Sequence, residues 1–502
     1  MALLMGIDVG TSSLKTVVTD ECGKVVALHA EEYPVKIPER MQAEQYPSDW
    51  WKAAVLSIRG CLRKASLNPR EIRCIGLSGQ MHGLVPLDRN HEVVRPAIIH
   101  LDGRSQAQVE AIYAKAGREA FGRITLNPVF PGFLLASLLW MKEHEPRNYE
   151  RTSVVVLPKD FIRLKLTGEA ATDHTDASGS LSYDTGTGKW SVELIRLLGL
   201  DPGKYPPCGE SFAIAGKVTK AAAAETGLPE GTPVVFGGAD QPLQALGNGV
   251  IQPGVMTSTI GTGGQIYSPV DRPVFNPGMN THTFRNVQPG TWYVLGAMLS
   301  AGLSLKWLKQ NVLQNMDYKG MDELADKVSP GSDGVIFLPY LLGERTPHLD
   351  PNAKAMFWGL SLRHGREHLV RAVMEAVVFG LKESVDIFEG MGIAINRIIA
   401  SGGGARSRLW LQIQADVFGR EIYATNIEEQ ACMGAAMLAG VGCGEYASLA
   451  EACEAMVKVH DSPVVPVPAH VEAYRRQYPL YKEIYRRNAG LFAEVSRPSQ
   501  GE

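Results

Sequence analysis

Asp240 follows an apolar run, Val234-Val235-Phe236, and a small-residue step, Gly237-Gly238-Ala239. About twenty residues later a second apolar run ends in Ile260-Gly261-Thr262-Gly263-Gly264. A carboxylate at the mouth of a strand can take a proton. A glycine-rich turn with a hydroxyl suits phosphate oxygens, because its backbone N–H groups can approach them closely. A base and a phosphate cradle this close together point to phosphoryl transfer, a reaction that asks a protein mainly for positioning and charge. Near the N-terminus, Asp8 ends a run of Leu3-Leu4-Met5-Gly6-Ile7 and is followed by Gly10-Thr11-Ser12-Ser13 and Lys15. A carboxylate closing a buried strand costs free energy unless it is satisfied. Asp8 either caps its own turn or faces a cation, and the neighbouring hydroxyls and lysine favour the cation.

Three further constellations bear on the same chemistry. Ile72 to Leu77 breaks at Ser78-Gly79-Gln80-Met81-His82-Gly83. A histidine there is either packed or in contact with substrate, since ligands commonly sit at strand ends in α/β folds. Asp102 and Arg104 pair with each other or line a polar pocket. Ser401-Gly402-Gly403-Gly404-Ala405 stands between a strand and a helix, where glycines permit close approach and a helix N-terminus favours anions. The GxGxxG fingerprint is absent there, which disfavours a dinucleotide-binding dehydrogenase. Thr172 to Gly179 is a polar cluster read as scaffold, because Asp and Ser in turns mostly bond their own backbone.

These groups need elements to hold them. Leu3–Ile7, Leu14–Thr19 and Val25–Leu28, with tight turns between, predict an antiparallel meander. Thr257 to Tyr267 repeats the strand–turn–strand logic in the second half. Ser48 is the expected N-cap of a helix whose buried face carries Trp50, Trp51, Ala54, Ile58 and Leu62. Pro96–Leu101 is a strand candidate. Pro158 opens and Gly168 closes another helix. Arg366–Phe388 is a long amphipathic helix, and Arg406–Phe418 follows the triple glycine. Gly434-Ala435-Ala436 lies on a helix where small residues allow tight packing. Tyr474, Tyr478, Tyr481 and Tyr485 recur at helical spacing among arginines, which reads as a docked C-terminal helix rather than a nucleic-acid surface. A turn-rich step near Gly247–Pro253 predicts a boundary between domains at 1–247 and 248–490, with a polar frayed tail over 491–502.

The 502-residue chain is 45% hydrophobic and 21% charged, with a net charge of −3. That balance suits a globular protein and gives no electrostatic case for nucleic acid or a membrane surface. Seven cysteines without a CxxC pair signal neither a zinc site nor a disulfide framework. No basic leader precedes Asp8, and no run reaches the ~18–20 apolar residues of a membrane span. A cytoplasmic location is expected.

GIDVGTSSLK, GLSGQMHGLVPLD, LPKDFIRLKLTGE, GGADQ, TIGTGG, FLPYLLGERTPH and SGGGARSRLW occur in this order between about residues 4 and 445. Together they resemble the FGGY family of carbohydrate kinases. The resemblance implies an α/β, two-domain actin-like (ribonuclease H-like) ATPase fold, with ATP and a sugar in the cleft between a sugar-binding N-terminal domain and a nucleotide-binding C-terminal domain. It implies Asp240 as catalytic base, Met81, His82, Asp102 and Gln241 at the sugar, and Asp8 at Mg²⁺. Thr11, Ser12, Lys15, Gly261, Thr262, Gly302, Gly403 and Gly404 would hold the nucleotide. The implied activity is ATP-dependent phosphorylation of a ketose, D-xylulose to its 5-phosphate first. The alternative within the family is a kinase for ribulose, glycerol or another polyol. The alternative of another class is a sugar-independent ATPase of chaperone or filament type, against which the MHG and GERTPH stretches argue. Sugar and ATP are the expected partners, and a homodimer is left open. The family's frequent Trp-Asn before Asp-Gly-Arg reads His100-Leu101 here, Gln241 stands where Asn is common, and Ser13 replaces a usual Gly.

Overall fold

The computed structural model describes residues 2–64, 67–425, 427–460 and 462–496. The N-terminal meander forms as the sequence predicts: β1 (Leu3–Val9), β2 (Ser13–Thr19) and β3 (Val25–Glu32) pair antiparallel. Helix α1 (Pro47–Lys64) starts one residue before the expected N-cap, because Pro47 has φ already set for a first turn. β4 (Ile72–Gly79) then lies parallel to β1. Of the strand expected over Pro96–Leu101, only Ala97–Ile98 pairs; the chain turns at once, with Asp102 N–H donating to the Ile99 carbonyl. Helix α2 (Pro158–Thr167) has Pro at its first position and Gly168 in the left-handed region at its end. The short α3 (His174–Gly179) is capped by Asp173, which accepts from the N–H of Thr175 and Asp176. β5 (Ile214–Lys217), β6 (Pro233–Val235) and β7 (Gly238–Ala239) complete a sheet of order β5-β6-β4-β1-β2-β3, with β7 pairing the far end of β4. Helix α4 (Asp240–Gly247) follows.

The second half repeats this plan. β8 (Gly254–Ile260) and β9 (Gly264–Val270) form the second hairpin, and β10 (His282–Arg285) and β11 (Trp292–Met298) extend it. Helices α5 (Gly302–Asn311) and α6 (Arg366–Gly390) lead to β12 (Ile395–Ser401), which lies parallel to β8 as β4 does to β1. Helix α7 (Arg408–Phe418) and β13 (Ile422–Ala424) close a sheet of order β10-β11-β9-β8-β12-β13. Helix α8 (Gln430–Gly442) and the long α9 (Pro468–Val495) complete the chain. The tail expected from about residue 491 begins later: α9 runs to Val495 with Phe492 buried, and residues 497–502 lie outside the described residues.

Small residues decide how the halves meet. Helix α8 belongs to the second half of the chain but packs on the sheet of the first. A Cβ on Gly76 would stand 1.8 Å from the Ala435 carbonyl oxygen, and one on Gly6 would stand 1.9 Å from that of Cys432. Glycine is required at both, since helix and sheet backbones touch. Helices α4 and α8 pack on each other, with Leu243 and Met433 in one apolar cluster. Among the described residues no helix is long and apolar enough to cross a membrane.

Candidate active site

Strand register brings the two carboxylates together. Asp8 pairs with Ser78 across β1 and β4, and Ser78 pairs with Gly238 across β4 and β7. These parallel strands end at one edge, so Asp8, the Met81–His82 step and Asp240 emerge side by side. One oxygen of each carboxylate, Asp8 Oδ1 and Asp240 Oδ1, is buried without a hydrogen-bond partner. Burial, and then the charge of Asp8, push the Asp240 carboxyl up to about 7, with Gln241 partly offsetting them. Burial also raises Asp8, against a hydrogen bond from Ser78 and the charge of Lys15. Two crowded, under-bonded carboxylates form a donor set that fits a hard divalent cation with oxygen ligands.

The first turn is held by a polar network. Gln45 Nε2 donates to the Thr11 carbonyl at 2.7 Å, Gln80 Nε2 donates to Gln45 Oε1 at 2.9 Å, and Tyr33 N–H donates to the Ser12 carbonyl at 3.2 Å. Lys15 does not stand free: its Nζ lies 2.7 Å from Glu429 Oε2, just before α8, tying the first hairpin to the second half of the chain. The second turn is held by α5. Gly302 N–H donates to the Gly261 carbonyl at 2.9 Å, and Ala301 and Leu303 N–H donate to the Thr262 carbonyl. A Cβ on Gly302 would lie 2.4 Å from the Gly261 oxygen, so glycine is needed for the contact.

Gly261, Thr262, Gly302, Gly403 and Gly404 line one cavity of about 600 Å³. The same cavity is lined by Trp410, from the SGGGARSRLW stretch, and by Tyr318, Lys319 and Asp322, which the sequence did not single out. Those three belong to a segment without a motif, and only tertiary packing carries them to the glycine turns.

The Met81–His82 step packs against residues of both halves, Phe133 from the first and Phe284 and Tyr293 from the second. His82 adopts φ +74°, an uncommon conformation for a side chain with a Cβ. Its ring stacks on Phe133 at 3.7 Å, and its Nδ1 lies 2.8 Å from the Gly179 carbonyl. Burial holds His82 well below its ordinary pKa. A carbonyl only accepts, so the neutral ring donates from Nδ1 and keeps Nε2 as an acceptor. His282 repeats the arrangement: its Nδ1 lies 3.0 Å from Asn127 Oδ1, which also accepts from Thr283 N–H. Burial and Arg345 push His282 down to about 3 and His100 down to about 4. Met81 is buried, its Sδ accepting from the Tyr293 hydroxyl at 3.8 Å. Asp102 takes the plainer of its two readings. Its oxygens accept from Ala43 N–H at 2.6 Å and from Arg104 N–H and Nε at 2.9 Å, so it pins the loop that presents His100.

Beneath the site lies a buried ion cluster that the sequence reading placed as scaffold. Lys159 Nζ sits 2.5 Å from Asp160, 2.6 Å from Asp173 and 3.1 Å from Asp176, and Arg163 also pairs with Asp160. These three carboxylates are close enough to hold a metal, but the lysine ammonium fills that place. Thr175 Oγ1 links the cluster to the residue before Asp240, accepting from Ala239 N–H at 2.8 Å.

Comparison with known proteins places the chain in a family and a fold. Residues 3–247 match the N-terminal domain, and residues 256–443 the C-terminal domain, of the FGGY family of carbohydrate kinases. The chain is 35% identical over 482 residues to a xylulose kinase of Bacillus subtilis (strain 168), covering 96% of each chain. The crystal structure of xylulose kinase from Rhodospirillum rubrum is 31% identical, with a TM-score of 0.91 over 98% of this chain and 100% of that one. The ligand-bound xylulose kinase from Lactobacillus acidophilus is 26% identical, with a TM-score of 0.93 over 99% and 100%. The fold is the two-domain, actin-like α/β ATPase fold of these sugar kinases.

Proposed function

The chain belongs to the FGGY family of carbohydrate kinases, and from that premise we propose that it phosphorylates the ketose D-xylulose at its terminal hydroxyl with ATP, Asp240 acting as the base. The observation that carries the reading is the Asp240 carboxylate, held at the strand edge with Oδ1 unpartnered and its affinity for a proton raised to about 7. A base so poised is half ionised at neutral pH yet basic enough to accept a hydroxyl proton, a match worth ~10²–10⁴-fold in rate.

Each group has a place in the same step. The acceptor hydroxyl approaches the γ-phosphorus in line, the bond to the ADP oxygen breaks, and the hydroxyl proton passes to Asp240. His82 Nε2 accepts a second hydroxyl of the sugar and orients it, with Met81 and Gln241 beside it and Asp102 acting through the His100 loop. Gly261, Thr262 and Gly302, across from Thr11 and Ser12, hold the phosphates, while Gly403 and Gly404 border the rest of the nucleotide. Lys15 acts from its bridge to Glu429, keeping the two turns in register. Asp8, with Asp240 nearby, would hold Mg²⁺, which when bound neutralises phosphate charge. We keep 1–247 and 248–490 as the two domains and the cytoplasm as the compartment, as parts of this proposal. ADP release measured with D-xylulose tests the base: Asp240→Asn is expected to lose about 10²-fold or more, and wild-type turnover by this variant would remove Asp240 from the role.

A further inference from the structure

Asp240 stands behind two glycines. Phe236-Gly237-Gly238-Ala239 carries the chain from β6 to Asp240, with Gly237 in the left-handed region at φ +81°. Glycine is required there, since a Cβ on Gly237 would stand 2.3 Å from the Leu77 carbonyl oxygen. Glycine backbone also has more freedom to lose on folding than any other. A general base works only within hydrogen-bond reach of the proton it takes. A misplacement of about 1 Å can cost about 10²-fold in rate. The glycine step before Asp240 therefore needs to be pinned by its neighbours.

The buried ion cluster of α2 and α3 pins it at both ends. At the start, Arg163 Nη1 donates to Asp160 Oδ1 at 2.8 Å and to the Phe236 carbonyl at 2.9 Å. At the finish, Ala239 N–H donates to Thr175 Oγ1 at 2.8 Å. A threonine hydroxyl donates once and accepts through its lone pairs. Here the proton goes to Asp173 Oδ1, which leaves the lone pairs for Ala239. Asp173 is itself fixed: its Oδ1 accepts from Thr175 N–H at 2.8 Å, and its Oδ2 lies 2.6 Å from Lys159 Nζ. Lys159 packs against β4, where a Cβ on Gly79, the register partner of Ala239, would lie 2.9 Å from the Lys159 Cβ. Lys159, Arg163, Asp173 and Thr175 are all fully buried, so water does not compete for these bonds. Contacts thus run from Lys159 through Asp173, Thr175 and Ala239 to Asp240. Burial and Asp8, not the cluster, raise the Asp240 carboxyl, so the cluster's hold on the base is through the backbone.

We propose that Thr175 is a positioning residue for the transfer: its hydroxyl, locked by the Lys159–Asp173 pair, holds Ala239 N–H and so fixes where the Asp240 carboxylate meets the acceptor hydroxyl. The inference rests on the reading of Asp240 as the base and adds the group that places it. Thr175 acts through Ala239 and not on either substrate.

The test is D-xylulose-dependent ADP release by Thr175→Val, which keeps the shape and loses the hydroxyl, and by Thr175→Ser, which keeps the hydroxyl. Thr175→Val is expected to lower kcat about 10-fold or more, with KM for D-xylulose and for ATP little changed. Thr175→Ser is expected to recover most of that loss. In the Asp240→Asn background the same Thr175→Val change is expected to cost less than about twofold, since no base is left to place. A merely structural role lowers kcat by the same factor in both backgrounds, and that result overturns the inference. A Thr175→Val enzyme with wild-type kcat and only a lower Tm, or with only a raised KM, overturns it too. If Asp240→Asn itself keeps wild-type turnover, the base reading falls and takes the inference with it. If Thr175→Val alone keeps it, the base reading stands and only the inference is lost. Should Thr175→Val fail to fold, hydrogen exchange of the wild-type protein decides. Amides of 236–240 exchanging as slowly as those of β1 and β4 uphold the pin, and exchange at the rate of an exposed loop overturns it.

Discussion

Asp240 shows how a common residue acquires an uncommon property from its surroundings. Its carboxyl is raised from 3.8 to about 7, by burial first and by Asp8 second. The pH dependence of kcat/KM follows: activity is expected to rise with pH through an apparent pKa near 7 and then level, as measured by initial rates between about pH 5.5 and 8.5. Stability should move the other way. A carboxyl raised in the folded state binds its proton more tightly there than in the unfolded chain. The folded state is therefore favoured most below about pH 4, and that advantage is lost as pH rises through about 7. Asp240→Asn is accordingly expected to raise Tm at pH 8, by no more than the equivalent of about 4 kcal/mol, while abolishing most activity. The His82 ring offers a second check. Replacing it by Phe keeps the stack on Phe133 but removes the Nε2 acceptor. KM for the sugar is expected to rise about 10-fold, with KM for ATP little changed, in steady-state kinetics.

At the scale of elements, the site is held by contacts that do no chemistry. The α2–α3 cluster balances three carboxylates against Lys159 and Arg163, and burial raises Asp176 well above its usual range. Removing the central cation by Lys159→Met leaves buried negative charge unanswered and is expected to cost about 3–5 kcal/mol in chemical denaturation. Asp176→Asn, which replaces a carboxyl already inclined to hold a proton, should cost far less, and the contrast tests which partner carries the cluster. Helix α8 makes a steric prediction. Gly76→Ala drives a Cβ into the Ala435 carbonyl and is expected to cost about 1–3 kcal/mol or more, read as a lower Tm, because backbone on both sides resists movement.

At the scale of the whole molecule, the aromatic cluster around His82 draws on both halves: His82 and Phe133 from the first, His282 and Phe284 from the second. The cavity at the glycine turns is lined by the second half, and Asp240, the proposed base, stands in the first. A reaction that needs groups from both sides should be suppressed until both ligands are bound, since enclosure excludes water. ADP release without acceptor is expected at roughly a hundredth or less of the acceptor-driven rate; comparable rates would favour the sugar-independent ATPase instead.

Much of this was legible from the chain alone because it depends on local chemistry. Strand ends marked by glycine, the two hairpins, the proline and glycine that bracket α2, and the carboxylates Asp8 and Asp240 all announce themselves within a few residues. The repeated hairpin even foretold that the second half would echo the first. What tertiary structure alone decided are the relations between distant segments. Strand register brings Asp8 beside Asp240, whose carboxyl is raised by burial first and by the Asp8 charge second. Close backbone contact lays α8, from the second half, on the first sheet through Gly6 and Gly76. Packing carries Tyr318, Lys319 and Asp322, which no motif marks, to the glycine turns. The same packing paired Asp102 with Arg104 and set the Arg345 guanidinium over the Phe130 ring. Charge and burial are properties of neighbours, and neighbours more than a few residues apart are chosen by the fold.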